Sequence, residues 1–191
     1  DEYTGMVNKY ITNVSSDFEV DDELGETKAR DGAIATIGGL ITEKTIKTTK
    51  KGQLMAFLTV EDVVGTVEVV VFPNRFTANR VVIDHAEKVF VTGKVQANVD
   101  ENAKLICDKV VDFASIPRKL WIRFASLSDY EDKKDELYGI LYNSDGKDTV
   151  VIYCTKENKR LTLPASRTIR VDSELIQKLQ AMYGEKNVTT T

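Results

Sequence analysis

The sequence of 191 residues is poor in the side chains on which most enzyme sites depend. It has one histidine, His85, and two cysteines, Cys107 and Cys154, whose separation fits no metal-ligand spacing. We therefore expect reduced, buried thiols and no metal site. No apolar run approaches the roughly 20 residues of a membrane span, and no basic-then-apolar leader is found. These absences predict a cytoplasmic protein without membrane contact.

Candidate catalytic residues are equally scarce. The stretch GKDT at 146–149 lacks the glycine spacing of a phosphate-binding loop. The acids between positions 129 and 136 are interleaved with Lys133 and Lys134, a pattern typical of a solvated helix face. His85 lies at the end of a predicted helix, where a surface role is more common than general-base catalysis. We expect no catalytic residue, no metal and no cofactor in this chain.

The formal net charge of −4 is distributed unevenly. Residues 1–31 contain nine acids and three bases with little apolar periodicity, which predicts an N-terminal arm and acidic linker. Residues 32–112 contain ten acids and ten bases, so their average charge neither favours nor excludes a local binding patch. Because the chain begins at Asp1 rather than methionine, we expect a segment of a longer polypeptide.

From Gly32 onward the pattern becomes that of β-strands. GAIATIGGLITEKTI contains Gly38-Gly39, which predicts a bulge or a sharp bend. Two strands are predicted next, QLMAFLTVED and TVEVVVF, because each alternates between an apolar and a mixed face. A helix is predicted in PNRFTANRVVID, which begins with Pro73. Two further strands follow, EKVFVTGKVQANV and AKLICDKVVDF. Three strands, a helix and two strands, with the first strand bent, predict a five-stranded OB-fold barrel over residues 32–116.

Residues 117–191 are predicted to form a small α+β domain, so the expected fold class is mainly β plus α+β. The predicted strands are KLWIRF, TVVIYCT, NKRLTLP, SRTIRV and a final edge strand NVTTT. One helix is predicted in SDYEDKKDELYGILYNS with Ser128 as its N-cap. A second is predicted in DSELIQKLQAMYG, with Asp172 or Ser173 as its cap and Gly184 as its stop.

Binding residues are easier to nominate than catalytic ones. OB-folds bind oligonucleotides on the face of strands 2 and 3 and on adjoining loops, and the predicted turn between strands 1 and 2 is rich in lysine. Lysines can bind the phosphates of a nucleic acid whatever its base sequence, and an outward phenylalanine can stack on a base. The candidate nucleic-acid-binding residues are Lys44, Lys47, Lys50, Lys51, Phe57, Arg75 and Lys94. A turn that only aids solubility, with a Phe57 that only packs, explains the same residues almost equally well.

One long segment, GGLITEKTIKTTKKGQLMAFLTVEDVVGTVEVVVFPNRF, resembles the OB segment of the alpha subunit of bacterial DNA polymerase III, the DnaE-type replicative polymerase. The shared features are the paired glycines, a lysine-rich turn ending in Lys51-Gly52, MAF at 55–57, Glu61-Asp62 and FP at 72–73. VFVTGKV is similar to the family's fourth strand, and the helix and strand at the end of the chain are similar to its C-terminal domain.

The resemblance implies the C-terminal region of a DNA-directed DNA polymerase, a nucleotidyltransferase, without that enzyme's catalytic aspartates. It implies that the barrel holds single-stranded template DNA. It also implies that residues 117–191 bind the tau subunit of the clamp loader, alongside other replisome subunits. Two alternatives stay open: a protein-interaction scaffold whose barrel binds no nucleic acid, and an RNA- or tRNA-binding OB domain.

Overall fold

The computed structural model describes residues 7–191, which divide into two compact units. The first unit ends at Ile116 and the second comprises Pro117–Thr191. Each unit has its own hydrophobic core. Within residues 7–191, no helix has the length and apolar character needed to cross a membrane.

The first unit is a closed five-stranded barrel in which neighbouring strands follow the order β1-β2-β3-β5-β4. Its strands are β1 (Ile34–Thr48), β2 (Leu54–Glu61), β3 (Thr66–Val71), β4 (Lys88–Gln96) and β5 (Lys104–Asp112). In β2, Ala56, Leu58 and Val60 are buried and alternate with partly exposed neighbours, because successive side chains of a strand point to opposite faces. The predicted OB-fold barrel is therefore confirmed.

Strand β1 serves two partners. Its first half pairs with β4 from Ile34 to Leu40, and its second half pairs with β2 from Leu40 to Thr48. The change of partner falls at the predicted glycine pair, and the register shifts between Ile41 and Glu43. A Cβ added at Gly39 would lie 2.1 Å from the carbonyl oxygen of Glu61, so only glycine lets the two backbones approach this closely.

Helix α1 (Pro73–His85) covers one end of the barrel. Pro73 stands in its first turn, as predicted, and Phe76 and Ile83 are buried in the barrel core. The side chain of the buried Asn79 ties the helix to β5, accepting a hydrogen bond of 2.8 Å from the backbone N–H of Val110.

The barrel closes along a short parallel seam between β3 and β5. Only two positions pair across it, Val69 with Leu105 and Val70 with Ile106, whereas β1 and β2 pair at eight positions. Next to the seam, Lys104 Nζ lies 3.2 Å from Glu68 Oε1. An ion pair thus spans the seam, where backbone pairing is sparsest.

The segment expected to be an acidic linker instead packs on the barrel. Residues 1–6 of the predicted arm lie outside the described residues, but Ser15–Phe18 forms a 3₁₀ helix in which Ser15 and Phe18 are buried. Phe18 and Ala29 both join the barrel core, and Phe18 accepts a backbone hydrogen bond of 2.8 Å from Ala103. Two apolar side chains are too few to produce a periodic pattern, which is why this contact escapes sequence analysis.

The second unit is a four-stranded sheet, in the order β8-β7-β6-β9, packed against helices. Its elements are β6 (Lys119–Phe124), α2 (Leu127–Leu141), β7 (Thr149–Cys154), β8 (Lys159–Thr162), α3 (Ser173–Tyr183) and β9 (Val188–Thr190). Strands β6 and β7 are parallel, and the edge strands β8 and β9 run antiparallel to their neighbours. The α+β prediction is confirmed.

Two local predictions in this unit are wrong. The N-cap of α2 is Ser126 rather than Ser128, because the Ser126 hydroxyl accepts the hydrogen bond from the N–H of Asp129 at 3.1 Å. The predicted strand SRTIRV is replaced by a 3₁₀ helix, Ala165–Arg167, and an isolated bridge between Asp148 and Ile169. The buried Asp148 holds this loop by accepting the N–H of Val171 at 2.8 Å.

Candidate nucleic-acid interface

The outer face of β1, β2 and β3 forms the floor of an open groove. The antiparallel register sets Thr45 of β1 and Val70 of β3 opposite Phe57 of β2, so these three side chains share the outer face. Lys47 and Met55 form the next pair toward the hairpin tip. The predicted mixed face of β2 is therefore part of the floor of this groove.

The groove has a volume of about 810 Å³. Its other wall comes from the β4–β5 loop and from the segment that follows the 3₁₀ helix Ser15–Phe18. The polar and aromatic residues that line it are Phe18, Glu19, Glu43, Thr45, Lys47, Phe57, Thr59, Thr66, Glu68, Glu101, Asn102 and Lys104.

Phe57 and Lys47 are brought together in the groove. The Lys47 ammonium lies 5.0 Å from the centroid of the half-buried Phe57 ring, within cation–π distance. A planar group stacked on this ring would find a positive charge beside it. A nucleotide presents that combination, since its base is aromatic and its phosphate is negative.

Lys50 and Lys51 stand at the tip of the β1–β2 hairpin, and both are exposed. The turn is closed by the N–H of Thr49, which donates to the carbonyl oxygen of Gln53 at 2.8 Å, and Gly52 adopts a φ of +77°. That left-handed conformation suits glycine, so the Lys51-Gly52 ending of the turn follows from its backbone. The two lysines extend the hairpin as a cationic tip.

Lys44, nominated as a binding residue with the lysines of the turn, lies within strand β1. Strand β1 continues to Thr48, and Lys44 pairs with Leu58 on the core side of the sheet. Its ammonium donates to the carbonyl oxygen of Ile83 at 3.2 Å and lies 3.6 Å from Asp84 Oδ1. Lys44 therefore caps the last turn of α1, where a cation complements the helix dipole, and is absent from the groove lining.

Arg75 and Lys94 are also absent from the groove lining. Arg75 lies on α1, where its guanidinium is 2.7 Å from Asp108 Oδ1. Lys94 is exposed on β4, opposite Ile34 of β1 and Ile106 of β5. Of the seven predicted residues, the structure brings Lys47 and Phe57 together in the groove and sets Lys50 and Lys51 at the tip of the same hairpin.

Four glutamates in the groove were missed by sequence analysis. Glu19, Glu43, Glu68 and Glu101 come from four separate segments, which meet only when the barrel closes. Glu43 accepts a hydrogen bond from the Thr59 hydroxyl at 3.3 Å. With Lys47 and Lys104 as the groove's cations, carboxylates outnumber ammonium groups on its lining. Such carboxylates repel phosphates, but they accept hydrogen bonds from base amino groups.

Asp62 positions one wall of this groove. Its carboxylate accepts hydrogen bonds from the N–H and the hydroxyl of Ser15, both at 2.7 Å, and from the N–H groups of Val64 at 2.8 Å and Gly65 at 2.9 Å. Burial acts to raise the pKa of Asp62, but these hydrogen bonds outweigh it and the pKa lies below its usual value. The β2–β3 turn thus anchors the 3₁₀ helix that precedes Glu19.

The histidine and the two cysteines lie outside the groove lining. His85 is the exposed last residue of α1. Cys107 and Cys154 are free and buried, and desolvation together with nearby Asp108 raises the pKa of the Cys107 thiol to about 12. Within residues 7–191, no group of three or more histidine, cysteine or acidic side chains is arranged to hold a metal ion.

Residues 35–112 match the family of OB-fold nucleic acid binding domains. The chain is 31% identical over 160 residues to the DNA polymerase III subunit alpha of Bacillus subtilis, covering 80% of this chain and 14% of that protein. The same subunit of Halalkalibacterium halodurans is 25% identical over 175 residues, covering 89% of this chain and 16% of that protein. The subunit of Aquifex aeolicus is 26% identical over 157 residues, 78% of this chain and 14% of that protein.

The chain thus spans about a seventh of the length of these relatives. Among solved structures, the asparaginyl-tRNA synthetase of Pyrococcus horikoshii aligns with 52% of this chain and 24% of its own, at 24% identity and a TM-score of 0.34. That superposition is too loose to carry a functional conclusion. The resemblance to DNA polymerase III alpha subunits, first seen in the motifs of β1 to β3, is confirmed by the sequence relatives.

Proposed function

We propose, from its homology to DNA polymerase III alpha subunits over about 80% of its length, that this chain is a non-catalytic part of a bacterial replicative polymerase. Its barrel binds single-stranded template DNA. The observation that carries this proposal is the groove on the OB face, where Lys47 lies against Phe57 below a tip bearing Lys50 and Lys51.

The mechanism divides the work between stacking and charge. A base stacks on Phe57, a contact worth about 1–3 kcal/mol, while Lys47 and the tip lysines neutralise successive phosphates. The groove glutamates lower the affinity for the phosphate backbone and leave a weak, salt-sensitive interaction. Weak binding suits a template that must move through the polymerase during synthesis. Catalysis itself belongs to the rest of the polymerase, which we place in the cytoplasm with the replisome.

For the second unit we propose binding to the tau subunit of the clamp loader. An alignment of 175 residues to the Halalkalibacterium protein is longer than the barrel unit and must include much of Pro117–Thr191. The homology therefore supports a role for this unit within the replisome.

A second candidate function is a scaffold whose barrel binds protein and not nucleic acid. The four groove glutamates favour it, because an acidic concavity is better matched by a basic peptide than by a polyanion. Fluorescence anisotropy of a labelled single-stranded DNA, with the matching RNA and duplex as controls, separates these candidates. Binding that prefers single-stranded DNA at low salt supports the template role, preference for RNA supports an RNA-binding barrel, and absence of binding supports the scaffold.

Replacing Phe57 with alanine should weaken single-stranded DNA binding about tenfold, because one base loses its stacking surface. Phe72→Ala is the matched control, since Phe72 is 49% exposed and does not line the groove. Anisotropy titrations of both variants at the same salt concentration measure the difference. Equal affinities for the two variants would remove Phe57 from the interface.

The double variant Lys50→Ala/Lys51→Ala should bind more weakly and show a flatter salt dependence. Each phosphate contact on a single strand contributes about 0.7 to the slope of log K against log salt, so two lost contacts lower its magnitude by about 1.4. Lys147→Ala/Lys178→Ala removes the same charge from exposed positions of the second unit. An unchanged slope in the Lys50/Lys51 variant would show that the hairpin tip does not touch the DNA backbone.

A further inference from the structure

The sheet of the second unit has one face that its helices leave uncovered. Leu120, Ile122 and Phe124 of β6 point into the core with the helices α2 and α3. The alternate residues point the other way, and the register places Trp121 beside Val151 of β7 and Arg123 beside Tyr153. We call this side, made by Trp121, Arg123, Tyr153 and Arg160, the aromatic–arginine face.

Both aromatic rings on this face are held in place at their polar ends. The Trp121 indole N–H donates to the Thr191 hydroxyl at 3.0 Å, and the Tyr153 hydroxyl donates to Asn158 Oδ1 at 2.9 Å. Both rings are half-buried. With the polar atoms satisfied inside the chain, a ligand would meet the rings together with the arginines that lie over them.

An arginine accompanies each ring. The Arg160 guanidinium carbon lies 5.6 Å from the Trp121 ring centroid, and that of Arg123 lies 5.9 Å from the Tyr153 ring centroid. A surface depression of about 160 Å³ adjoins both rings, and its lining includes Trp121, Tyr153 and Lys186. Each aromatic ring of this face therefore has a guanidinium over it.

The charge on this face is of one sign. Among the described residues, Arg123, Arg160 and Lys186 take part in no ion pair with a carboxylate, whereas Lys133 and Lys134 are paired on α2. The main acid cluster of this unit also lies on α2, which packs against the opposite face of the sheet. The open face is therefore complementary to a polyanion.

We propose that the aromatic–arginine face is a second binding site for single-stranded nucleic acid, separate from the barrel groove. Exposed bases stack on aromatic rings and on arginine planes that stand on an open β-sheet, and phosphates pair with the flanking cations. An acidic protein segment would satisfy the charges but would leave the two rings without planar partners. The combination on one sheet face favours a nucleic acid.

The chain contains one tryptophan, so Trp121 fluorescence reports this face alone. Titrating the full chain with (dT)₁₂ or (rU)₁₂ should quench Trp121 emission in a saturable, salt-sensitive manner. The double variant Arg123→Ala/Arg160→Ala should raise the midpoint of quenching about tenfold, because two cationic contacts are lost. Lys147→Ala/Lys178→Ala removes equal charge elsewhere and should leave the midpoint unchanged.

The same titration separates this face from the barrel groove. Phe57→Ala should retain the quenching of Trp121, so failure at this face and failure at the groove are distinguishable. Circular dichroism melts that match the wild type certify that the arginine variant is folded. The proposal is overturned by DNA binding in anisotropy without any quenching, or by quenching that the arginine variant leaves unchanged. Quenching by poly-glutamate but by neither oligonucleotide would overturn it in favour of an acidic protein partner.

Discussion

Gly39→Ala is expected to destabilise the barrel by about 3 kcal/mol, the upper end of what overpacking costs. The added methyl would lie 2.1 Å from the carbonyl oxygen and 2.7 Å from the carbonyl carbon of Glu61. Both are backbone atoms of a paired strand, so neither can rotate away as a flexible side chain would. Relief requires β1 and β2 to separate where β1 changes partner.

Urea unfolding followed by far-ultraviolet circular dichroism measures this loss. Gly139→Ala is the matched control, because a Cβ at Gly139 meets nothing within 4 Å and the residue lies inside the helix α2. That substitution should stabilise the helix by about 1 kcal/mol. A Gly39→Ala protein that unfolds at the same urea concentration as the wild type would show that β1 can bend without the glycine.

Asp62→Ala should cost about 3 kcal/mol of stability and also loosen one wall of the groove. The substitution leaves three backbone N–H groups and the Ser15 hydroxyl without their acceptor, and Ser15 is fully buried. Asp62→Asn should cost less, because its side-chain oxygen still accepts some of these bonds. Denaturant midpoints of the two variants give the comparison.

The same residue gives stability a defined dependence on pH. The pKa of Asp62 is lower in the folded protein than the usual value, so the folded state favours the carboxylate. Its contribution is complete above the unfolded pKa of about 3.9 and is lost as the pH falls through the lower folded value. Below about pH 4, the wild type should therefore lose the part of its advantage over Asp62→Ala that depends on the ionised carboxylate. Asp132→Ala, at an exposed acid of α2, should track the wild type throughout. A constant difference between wild type and Asp62→Ala at every pH would contradict this linkage.

The barrel was predictable because its signals are local. Each signal spans only a few residues: the alternation in β2 and β3, the paired glycines, and Pro73. Each of them predicts a feature that the structure contains. The packing of the N-terminal segment was not predictable, because Ser15 and Asp62 lie 47 positions apart in the sequence and meet only in the folded chain. The pattern around Glu61-Asp62 marks a strand end but not the partner that its carboxylate anchors.

The candidate site divides in the same way. Phe57 follows from the period of β2, and Lys50 and Lys51 from their turn. Lys44 was nominated because it is close in sequence to the turn lysines, but its side chain contacts Ile83 and Asp84 of α1, a contact that forms only when the helix packs on the barrel. The groove glutamates come from four segments that are distant in sequence, so no local motif brings them together.

The short joint between β3 and β5 also bears on the motions of the barrel. Because only two positions pair across it, this seam should open before the rest of the barrel. The amides of Val70 and Ile106 should therefore exchange with solvent faster than the amides between β1 and β2. Glu68 and Lys104, which flank that joint, also line the groove. A ligand lying in the groove would contact both β3 and β5 at once. A bound ligand would then hold β3 and β5 together, and hydrogen exchange at this seam would slow as the groove fills.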